Sequence, residues 1–463
     1  MEPCVDFTAE EIAAAQARLA PHLLRTPVLP LHSQRLAAML PTGTEVTLKL
    51  ELFQRTGSFK PRGALTNVLL LPPEALARGI TAVSAGNHAI AAAFAAQVTG
   101  TSAKVIMIQT ANALRIARSR EFGAEVLIAG TAHQAFAQAE EIVRREGRSM
   151  IHPFEGRNTA LGTATLGAEF LQQAPYLDAV IVPIGGGGLC AGVAAAFKLL
   201  RPQCRVYAVE PEGADSMRRS FAAGSPQSIE KVATIADSLG APYALPITFG
   251  LCRRFVDDLV LVSDAQIRAA MRTLLEEALA THRKSVRATI LLGDLHAAAG
   301  DLESAIEAWK RIDQQNPVYI ALVATKLMEA YRKLGRSEQG LQLLRGYLEQ
   351  HPSLDLLDAA FQWALEDESP EAAYQLVRDE LRRNPTLLGL DKLLEAQILV
   401  APPERRADLE LVKNLIHNHT RKVARYRCDS CGFKARQFYW RCPGCGAWES
   451  YPPKRTEEFD LMP

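Results

Sequence analysis

Lys60 lies in the run Gly57-Ser58-Phe59-Lys60-Pro61-Arg62-Gly63-Ala64, between an aromatic ring and a proline. Desolvation lowers a lysine's pKa, and the neutral amine can then form a Schiff base with an aldehyde cofactor. A lone lysine reads as a solvated surface charge, but two further motifs shift that balance. Val83-Ser84-Ala85-Gly86-Asn87-His88 closes an apolar run and opens an Ala-rich segment. A Ser hydroxyl and backbone N–H groups at a helix start make a carboxylate site. A simple N-cap by Ser84 accounts for one of these residues and leaves Gly86, Asn87 and His88 unexplained. Gly185, Gly186, Gly187 and Gly188 follow the apolar run ending at Ile184 and precede helix-like sequence from Leu189 to Leu200. Consecutive glycines let backbone N–H groups converge on a phosphate, and the helix dipole adds to the attraction. Taken alone, a tetraglycine is only a flexible turn.

A second chemistry sits at the other end of the chain. Cys428-x-x-Cys431-Gly432 and Cys442-Pro443-x-Cys445-Gly446 form two knuckles separated by ten residues. Such spacing brings four thiolates around one tetrahedral metal ion, and with every position filled by sulfur the role is structural. Zinc is expected, and iron fits the same ligand set. Two disulfides are the competing reading, disfavoured in a reducing compartment. Tyr439, Trp440 and Trp448 are expected to supply the small core of this ribbon. Cys4, Cys190, Cys204 and Cys252 are scattered singly and read as buried reduced thiols.

The elements that must position these groups fall into two styles. From about residue 46 to residue 262, short β-branched runs alternate with Ala-rich helical segments. The runs include Val46–Leu50, Ile80–Val83, Lys104–Ile108, Ala179–Ile184 and Arg205–Val209. Near-continuous apolar strands between helices predict an α/β fold with a parallel sheet covered on both faces, its ligands outside the carboxyl ends of the strands. Beyond about Thr281 the strand signal stops. Pro317, Pro352 and Pro385 recur at about 34 residues, the period of a tetratricopeptide repeat. Leu292, Gly293, Gly300, Ala305 and Trp309 fill one unit, Tyr331, Gly335 and Gly340 the next, and Ala373 a weaker third. An irregular helical bundle is the plainer alternative.

Composition sets the outer bounds. The 463 residues are 48% hydrophobic and 22% charged with a formal net charge of +1. That balance gives no overall field for nucleic acid or an anionic membrane. No uncharged apolar run approaches the length of a membrane span. Glu2, Asp6, Glu10 and Glu11 give the start of the chain the wrong charge for a signal peptide. A cytoplasmic location is expected, at most peripheral to the inner membrane through partners.

With Lys60, the Ser84-x-Gly86-Asn87-His88 run and the tetraglycine in this order, the first 275 or so residues resemble the fold-type II pyridoxal phosphate (PLP) enzymes. The closest resemblance is to the threonine/serine dehydratase and serine racemase family. The Lys-x-Arg-Gly-Ala continuation is similar to dehydratases rather than cysteine synthases, as are Ala233–Leu239 and the segment from Val256 through Ser263. The resemblance implies a fold like that of the tryptophan synthase β subunit. It makes Lys60 the Schiff-base lysine and proton shuttle and Ser84 a second catalytic residue, with Phe59 beside the cofactor ring and Asn87 on its hydroxyl. Gly185 to Gly188 with Leu189 would hold the phosphate, and Ser84, Gly86, Asn87 and His88 would frame the substrate carboxylate. The implied reaction is β-elimination of water from a hydroxy amino acid such as L-threonine or L-serine, then loss of ammonia to give a 2-oxo acid. Ala85 stands where serine racemases place a second acid/base serine, so elimination is favoured over racemisation. Glu210, Ala214 and Asp215 resemble part of a divalent-metal site found in some relatives, but Ser216 replaces a second acid, which argues against that metal.

After Ala278 the sequence departs from that family. Its Glu-Pro-Ala-Gly segment, last strand and pyridine-nitrogen serine have no counterpart, and Thr281-His-Arg-Lys284 leads into the repeats. An apolar sheet edge is therefore expected. From about residue 285 the chain resembles the C-terminal part of the lipopolysaccharide assembly protein B family, tetratricopeptide scaffolds ending in a rubredoxin-like metal domain. Leu291–Asp294, Arg378–Pro385, Pro402–Glu404 and the ribbon Tyr426–Trp448 carry that likeness. The expected domains are a PLP module over 1–280, helical repeats over 285–422 and a four-Cys ribbon over 423–452. Expected partners are a small amino-acid substrate and proteins bound through the repeats, and a homo-oligomer is compatible with this reading. Two other readings stay open: a non-catalytic scaffold regulating lipopolysaccharide synthesis through protein partners, and an accidental fusion of two gene fragments.

Overall fold

A computed structural model describes residues 7–457 of the chain. Cys4 lies outside the described residues. The chain divides into two compact units, Met1–Ile267 and Arg268–Pro463. Among the described residues, no helix is long and apolar enough to cross a membrane.

The first unit carries two parallel sheets. One has the order β5-β4-β3-β6, with β3 at Ile80–Val83, β4 at Ala103–Ile108, β5 at Glu125–Ala129 and β6 at Ser149–Met150. The other runs β7-β8-β9, from Ala179–Pro183, Arg205–Pro211 and Asp258–Val262. The pairings are parallel, such as Ala82 opposite Val105 and Val182 opposite Ala208. The run Val46–Leu50 behaves differently from expectation. Its core, β2 (Thr47–Lys49), pairs antiparallel with β1 (Val28–Pro30), outside both parallel sheets. A five-residue apolar run carries no information about the direction of its partner, so the sequence could not separate the two outcomes.

Helices complete the layers. Asn87–Thr99 is buried along most of its length because its alanines let sheet and neighbouring helices approach closely. The helix Arg157–Gln173 is the brace of the unit. A Cβ on Gly162 would lie 2.3 Å from the Arg62 carbonyl oxygen, so this helix packs backbone to backbone on the Lys60–Leu69 helix. On its other side, a Cβ on Gly192 would lie 2.2 Å from the Ala160 carbonyl oxygen, fixing the helix Gly188–Leu200 equally closely. One element thus sets the distance between the helix that opens at Lys60 and the helix that follows the glycine run.

The sequence predicts an apolar sheet edge; the β7-β8-β9 sheet instead exposes apolar side chains on one face. Inward residues Val180, Val182 and Leu259 are buried, whereas Ile181 is 71% and Val260 44% exposed on the opposite face. The burial alternation is that of a sheet covered on one face, not the doubly covered sheet the apolar runs suggested.

The second unit is helical with a small ribbon. Helical hairpins follow one another: Val286–Ala298 with Leu302–Lys310, Ala324–Lys333 with Ser337–Gln350, Leu354–Asp367 with Pro370–Arg383, and Leu387–Val400 with Pro403–Val423. Small residues sit where the sequence placed them. A Cβ on Gly293 would lie 2.3 Å from the Trp309 ring nitrogen, and one on Gly340 would lie 2.9 Å from Tyr331. Ala305 and Ala373 are fully buried.

Candidate functional site

The three site segments of the first unit leave the carboxyl ends of parallel strands, where α/β sheets bind ligands. Ser84 follows β3, Ile151-His152-Pro153-Phe154 follows β6, and Ile184 with the glycine run follows β7. Lys60 opens its helix immediately after Phe59, with Pro61 at a first-turn position that needs no N–H partner.

Among the described residues, the Lys60 side chain makes one hydrogen bond. Its Nζ donates to the Pro153 carbonyl oxygen at 2.7 Å and lies 5.1 Å from the centroid of the Phe59 ring. Among the described residues no carboxylate pairs with it, and burial lowers its pKa to about 8. His88 and His152 flank the same charge. Burial, then repulsion from Lys60, lowers His88 to about 3 and His152 to about 4, so both rings are neutral at neutral pH. The His88 Nε2 lies 2.9 Å from the Ile151 carbonyl oxygen. Its ring is therefore committed to the strand end, and only its backbone N–H is left to frame a carboxylate. The Ser84 hydroxyl accepts from the Gly86 N–H at 3.0 Å, tightening the loop ahead of Asn87. The Asn87 and His88 amides open a helix and have no acceptor within it.

Next in chain order, the glycine run curls against Phe154. A Cβ on Gly186 would lie 2.4 Å from the Phe154 ring, and one on Gly188 2.6 Å from the Phe154 carbonyl oxygen. Thr248 closes the far side, its hydroxyl donating to the Gly186 carbonyl oxygen at 3.0 Å. Thr248 and Ile247 are anchored in turn by Glu155, whose carboxylate accepts the Ile247 N–H at 2.7 Å. Leu189 is half-buried against the core just inside the Gly188–Leu200 helix. Gly186→Ala is expected to displace the loop and abolish cofactor retention, read as loss of bound PLP after gel filtration. Full retention would show that the glycine run does not cradle the phosphate.

Behind Lys60 lies a buried network of four charges. Arg62 meets Glu51 at 2.8 Å and Glu169 at 3.1 Å, and Lys49 meets Glu169 at 2.5 Å. Two cations and two anions balance, so none is left uncompensated in the interior. Arg62 holds both Glu51 oxygens in a bidentate pair, and ties the Lys60 helix to the Arg157–Gln173 brace by two N–H groups on one Glu169 oxygen.

These observations fit the cofactor that the motifs imply. A buried amine of lowered pKa, a run of glycines with no room for side chains and a helix N-terminus behind them suit an aldehyde bearing a phosphate. Sequence reasoning missed Pro153, Phe154, His152 and Thr248. The signal existed only as a short apolar run ending at Ile151, too brief to mark β6 as a site strand. Glu210, the residue of the metal-like motif, is fully buried and spends both carboxylate oxygens on the Met217 and Arg218 N–H groups, at 2.9 and 2.8 Å. It caps the Ser216–Ala223 helix, and burial raises its pKa to about 7.

In the second unit, the ligand atoms of Cys428, Cys431, Cys442 and Cys445 lie within 4.8 Å of one another. The Cys428 and Cys445 sulfurs are 3.8 Å apart and those of Cys431 and Cys442 3.6 Å. Tetrahedral zinc with Zn–S bonds of about 2.3 Å requires sulfur separations of about 3.8 Å. The four side chains therefore fit the ion. The strands β10 (Ala424–Arg427), β11 (Lys434–Ala435) and β12 (Thr456–Glu457) form the sheet beside the site.

The ribbon core differs from expectation. Tyr451 is fully buried against Cys428 and Cys442, with Tyr439 packed beside it. Trp440 instead stacks on Tyr319 of the helical array, centroids 5.5 Å apart, and Trp448 is 52% exposed beneath the Arg287 guanidinium. A ribbon this small has room for one large ring at its centre, and the outer aromatics bind it to the helices.

Comparison with known proteins accords with this geometry. Residues 19–299 match the family model described as pyridoxal-phosphate dependent enzyme, and residues 426–452 match that of the rubredoxin metal binding domain. The chain is 51% identical over 288 residues to a phenylserine dehydratase of Ralstonia pickettii, covering 62% of this chain and 87% of that one. It is 36% identical to an L-threonine ammonia-lyase of Thermotoga maritima, over 59% of this chain and 67% of the relative. Among solved structures, maize serine racemase superposes with a TM-score of 0.54 at 36% identity, covering 57% of this chain and 79% of the other. Threonine deaminase isoform 2 of Solanum lycopersicum gives 0.54 at 32% identity, covering 60% and 81%. From about residue 19 through the three motifs that meet around Lys60, the chain belongs to the pyridoxal-phosphate dependent enzymes of the serine/threonine dehydratase and serine racemase kind, with a rubredoxin-like metal ribbon at its other end.

Proposed function

We infer that the chain is a PLP-dependent ammonia-lyase that eliminates water from a β-hydroxy amino acid and releases ammonia to leave a 2-oxo acid. The observation that carries this reading is the buried Lys60 amine, its pKa lowered to about 8, beside a glycine run packed on Phe154. Lys60, Phe59 and Asn87 would hold the cofactor ring, and Gly185 to Gly188 with Leu189 its phosphate. The bound cofactor supplies an electron sink for charge left at the substrate's α-carbon. Lys60 takes the α-proton, because an amine with a pKa near the operating pH is the effective base, whereas His88 and His152, lowered to about 3 and 4, are too weakly basic to hold it. Ser84 and the first-turn amides of the Asn87–Thr99 helix orient the carboxylate, with the framing backbone supplied by Gly86, Asn87 and His88. Ala85 offers a methyl group where a second proton donor would be needed, so protonation from the opposite face has no agent and elimination is the outcome.

Serine and threonine are the substrates the motifs favour. The 51% identity to a phenylserine dehydratase adds phenylserine, a β-aryl hydroxy amino acid, as a competing one. The test is release of 2-oxo acid by the PLP-loaded full chain from each of the three. Turnover of at least one is expected, with the order of kcat/KM fixing the preference. Cofactor binding without 2-oxo acid from any of them would favour the scaffold reading.

The remaining residues form the attached module in this proposal. Residues 1–280 make the lyase, 285–422 tetratricopeptide-like repeats that take protein partners, and 423–452 a structural ribbon. The helical hairpins, with Gly293 packed on Trp309, and the four clustered thiols support that assignment.

A further inference from the structure

Arg115 lies in the helix Ala113–Glu121, at the far side of the loop that opens the Asn87–Thr99 helix. The nearest heavy atoms to a Cβ on Gly86 would be the Arg115 Nη1 at 3.5 Å, its Cζ at 3.9 Å and the Ser84 Oγ at 3.9 Å. A guanidinium is thus laid against the backbone of the loop that offers the Asn87 and His88 amides. Among the described residues its ion pair is with Asp237, whose Oδ2 accepts from Nη1 at 3.2 Å. That pair is open to solvent, with Arg115 28% and Asp237 68% exposed. Asp237 comes from the segment that places Leu239 against Gly185, where a Cβ would lie 2.6 Å from the Leu239 carbonyl oxygen. The guanidinium therefore sits between the carboxylate loop and the segment bordering the glycine run.

We propose that Arg115 is a substrate-binding residue that takes the α-carboxylate of the amino acid together with the Asn87 loop, exchanging its Asp237 partner for the substrate. A guanidinium has five donors in a planar fork, which suits two-pronged capture of the substrate carboxylate once Asp237 lets go. An exposed pair such as Arg115–Asp237 contributes little to stability, so releasing it costs little. A carboxylate held between helix amides and a guanidinium is bound more tightly than by either alone, because both favour the same charge.

This inference rests on the lyase reading above, and the experiment separates the two. The full chain is loaded with PLP, and the change in its visible spectrum is titrated with L-serine and with L-serinamide, which lacks the carboxylate charge. In Arg115→Met the half-saturating concentration of L-serine is expected to rise about tenfold or more, the loss typical of a charged hydrogen bond. That for L-serinamide stays unchanged. Arg115→Lys restores part of the difference, and Asp237→Asn leaves serine binding equal or tighter. Equal changes for acid and amide, or no change for either, would overturn the assignment of Arg115. A wild-type chain that binds no PLP, or whose spectrum ignores L-serine, would overturn the lyase reading and the Arg115 assignment with it. Retention of the cofactor band in each variant confirms that the fold is intact.

Discussion

Lys60→Ala is expected to leave the full chain colourless after incubation with PLP and gel filtration, whereas the wild-type chain carries a visible band. The cause is specific to this amine. Its one hydrogen bond among the described residues is donated to the Pro153 carbonyl oxygen at 2.7 Å, which leaves the lone pair for the aldehyde once the proton is lost. Alanine removes both the covalent anchor and the proton carrier. Loss of a positioned acid/base group costs on the order of 10²–10⁴-fold in rate, and loss of the anchor adds to it. The residual 2-oxo acid formation should therefore fall below detection in an ordinary assay. The pH dependence follows from the same burial. The amine's pKa is lowered to about 8, so the rate of PLP capture by the wild-type chain rises with pH and bends near that value. An unmodified lysine would keep rising towards its ordinary value near 10.5. A rate that climbs without a bend through pH 9 would show that the amine is not held out of water.

The second large effect concerns the metal. Chelation, or Cys442→Ser, is expected to release one zinc or iron ion per chain and to unfold the ribbon. Structural four-Cys sites contribute on the order of 10–16 kcal/mol of apparent binding free energy to folding, far more than a ribbon core built on Tyr451 and Tyr439 can replace. The loss reaches the helices as well. Trp440 stacks on Tyr319, the Tyr319 hydroxyl donates to the Glu449 carbonyl oxygen at 3.1 Å, and Arg455 pairs with Asp355 at 2.8 Å. Those contacts exist only while the ribbon is folded. Near-ultraviolet dichroism from the Tyr319–Trp440 pair should collapse on chelation, and the thermal transition of the helical unit should fall. The PLP band should persist, because Lys60 and the thiols belong to different compact units. Elemental analysis of the untreated protein decides between zinc and iron. A full near-ultraviolet spectrum in the chelated protein would contradict a structural role for the ion.

Much of this was legible because chemistry and spacing coincide within short segments. Lys60 with its flanking ring and proline, the tetraglycine between strand and helix, and the paired knuckles each declare themselves in fewer than twenty residues. The parallel strands were legible for the same reason: their apolar runs are local. What escaped depends on contacts remote in sequence. Pro153 meets Lys60 across 93 residues, and Arg115 meets Asp237 across 122. Neither arginine nor proline at those positions breaks any local pattern. The strand Thr47–Lys49 was placed in the wrong kind of sheet because partner direction is a tertiary property. Trp440 was assigned to the ribbon by proximity in sequence, while its ring is spent on Tyr319.

On the outer face of β7-β8-β9, Ile181 is 71% and Val260 44% exposed. The site loops do not depend on that face. They are fixed by the Arg157–Gln173 brace, by the four-charge network at Arg62 and by Glu155 on the Ile247 and Thr248 amides. Cofactor capture is therefore expected not to depend on that exposed face.

The most direct measurement is borohydride reduction of the PLP-loaded full chain followed by peptide mapping. The expected result is a single pyridoxyl group, on the Nζ of Lys60. A label on other lysines, or none at all, would contradict the account and leave the first unit without its chemistry.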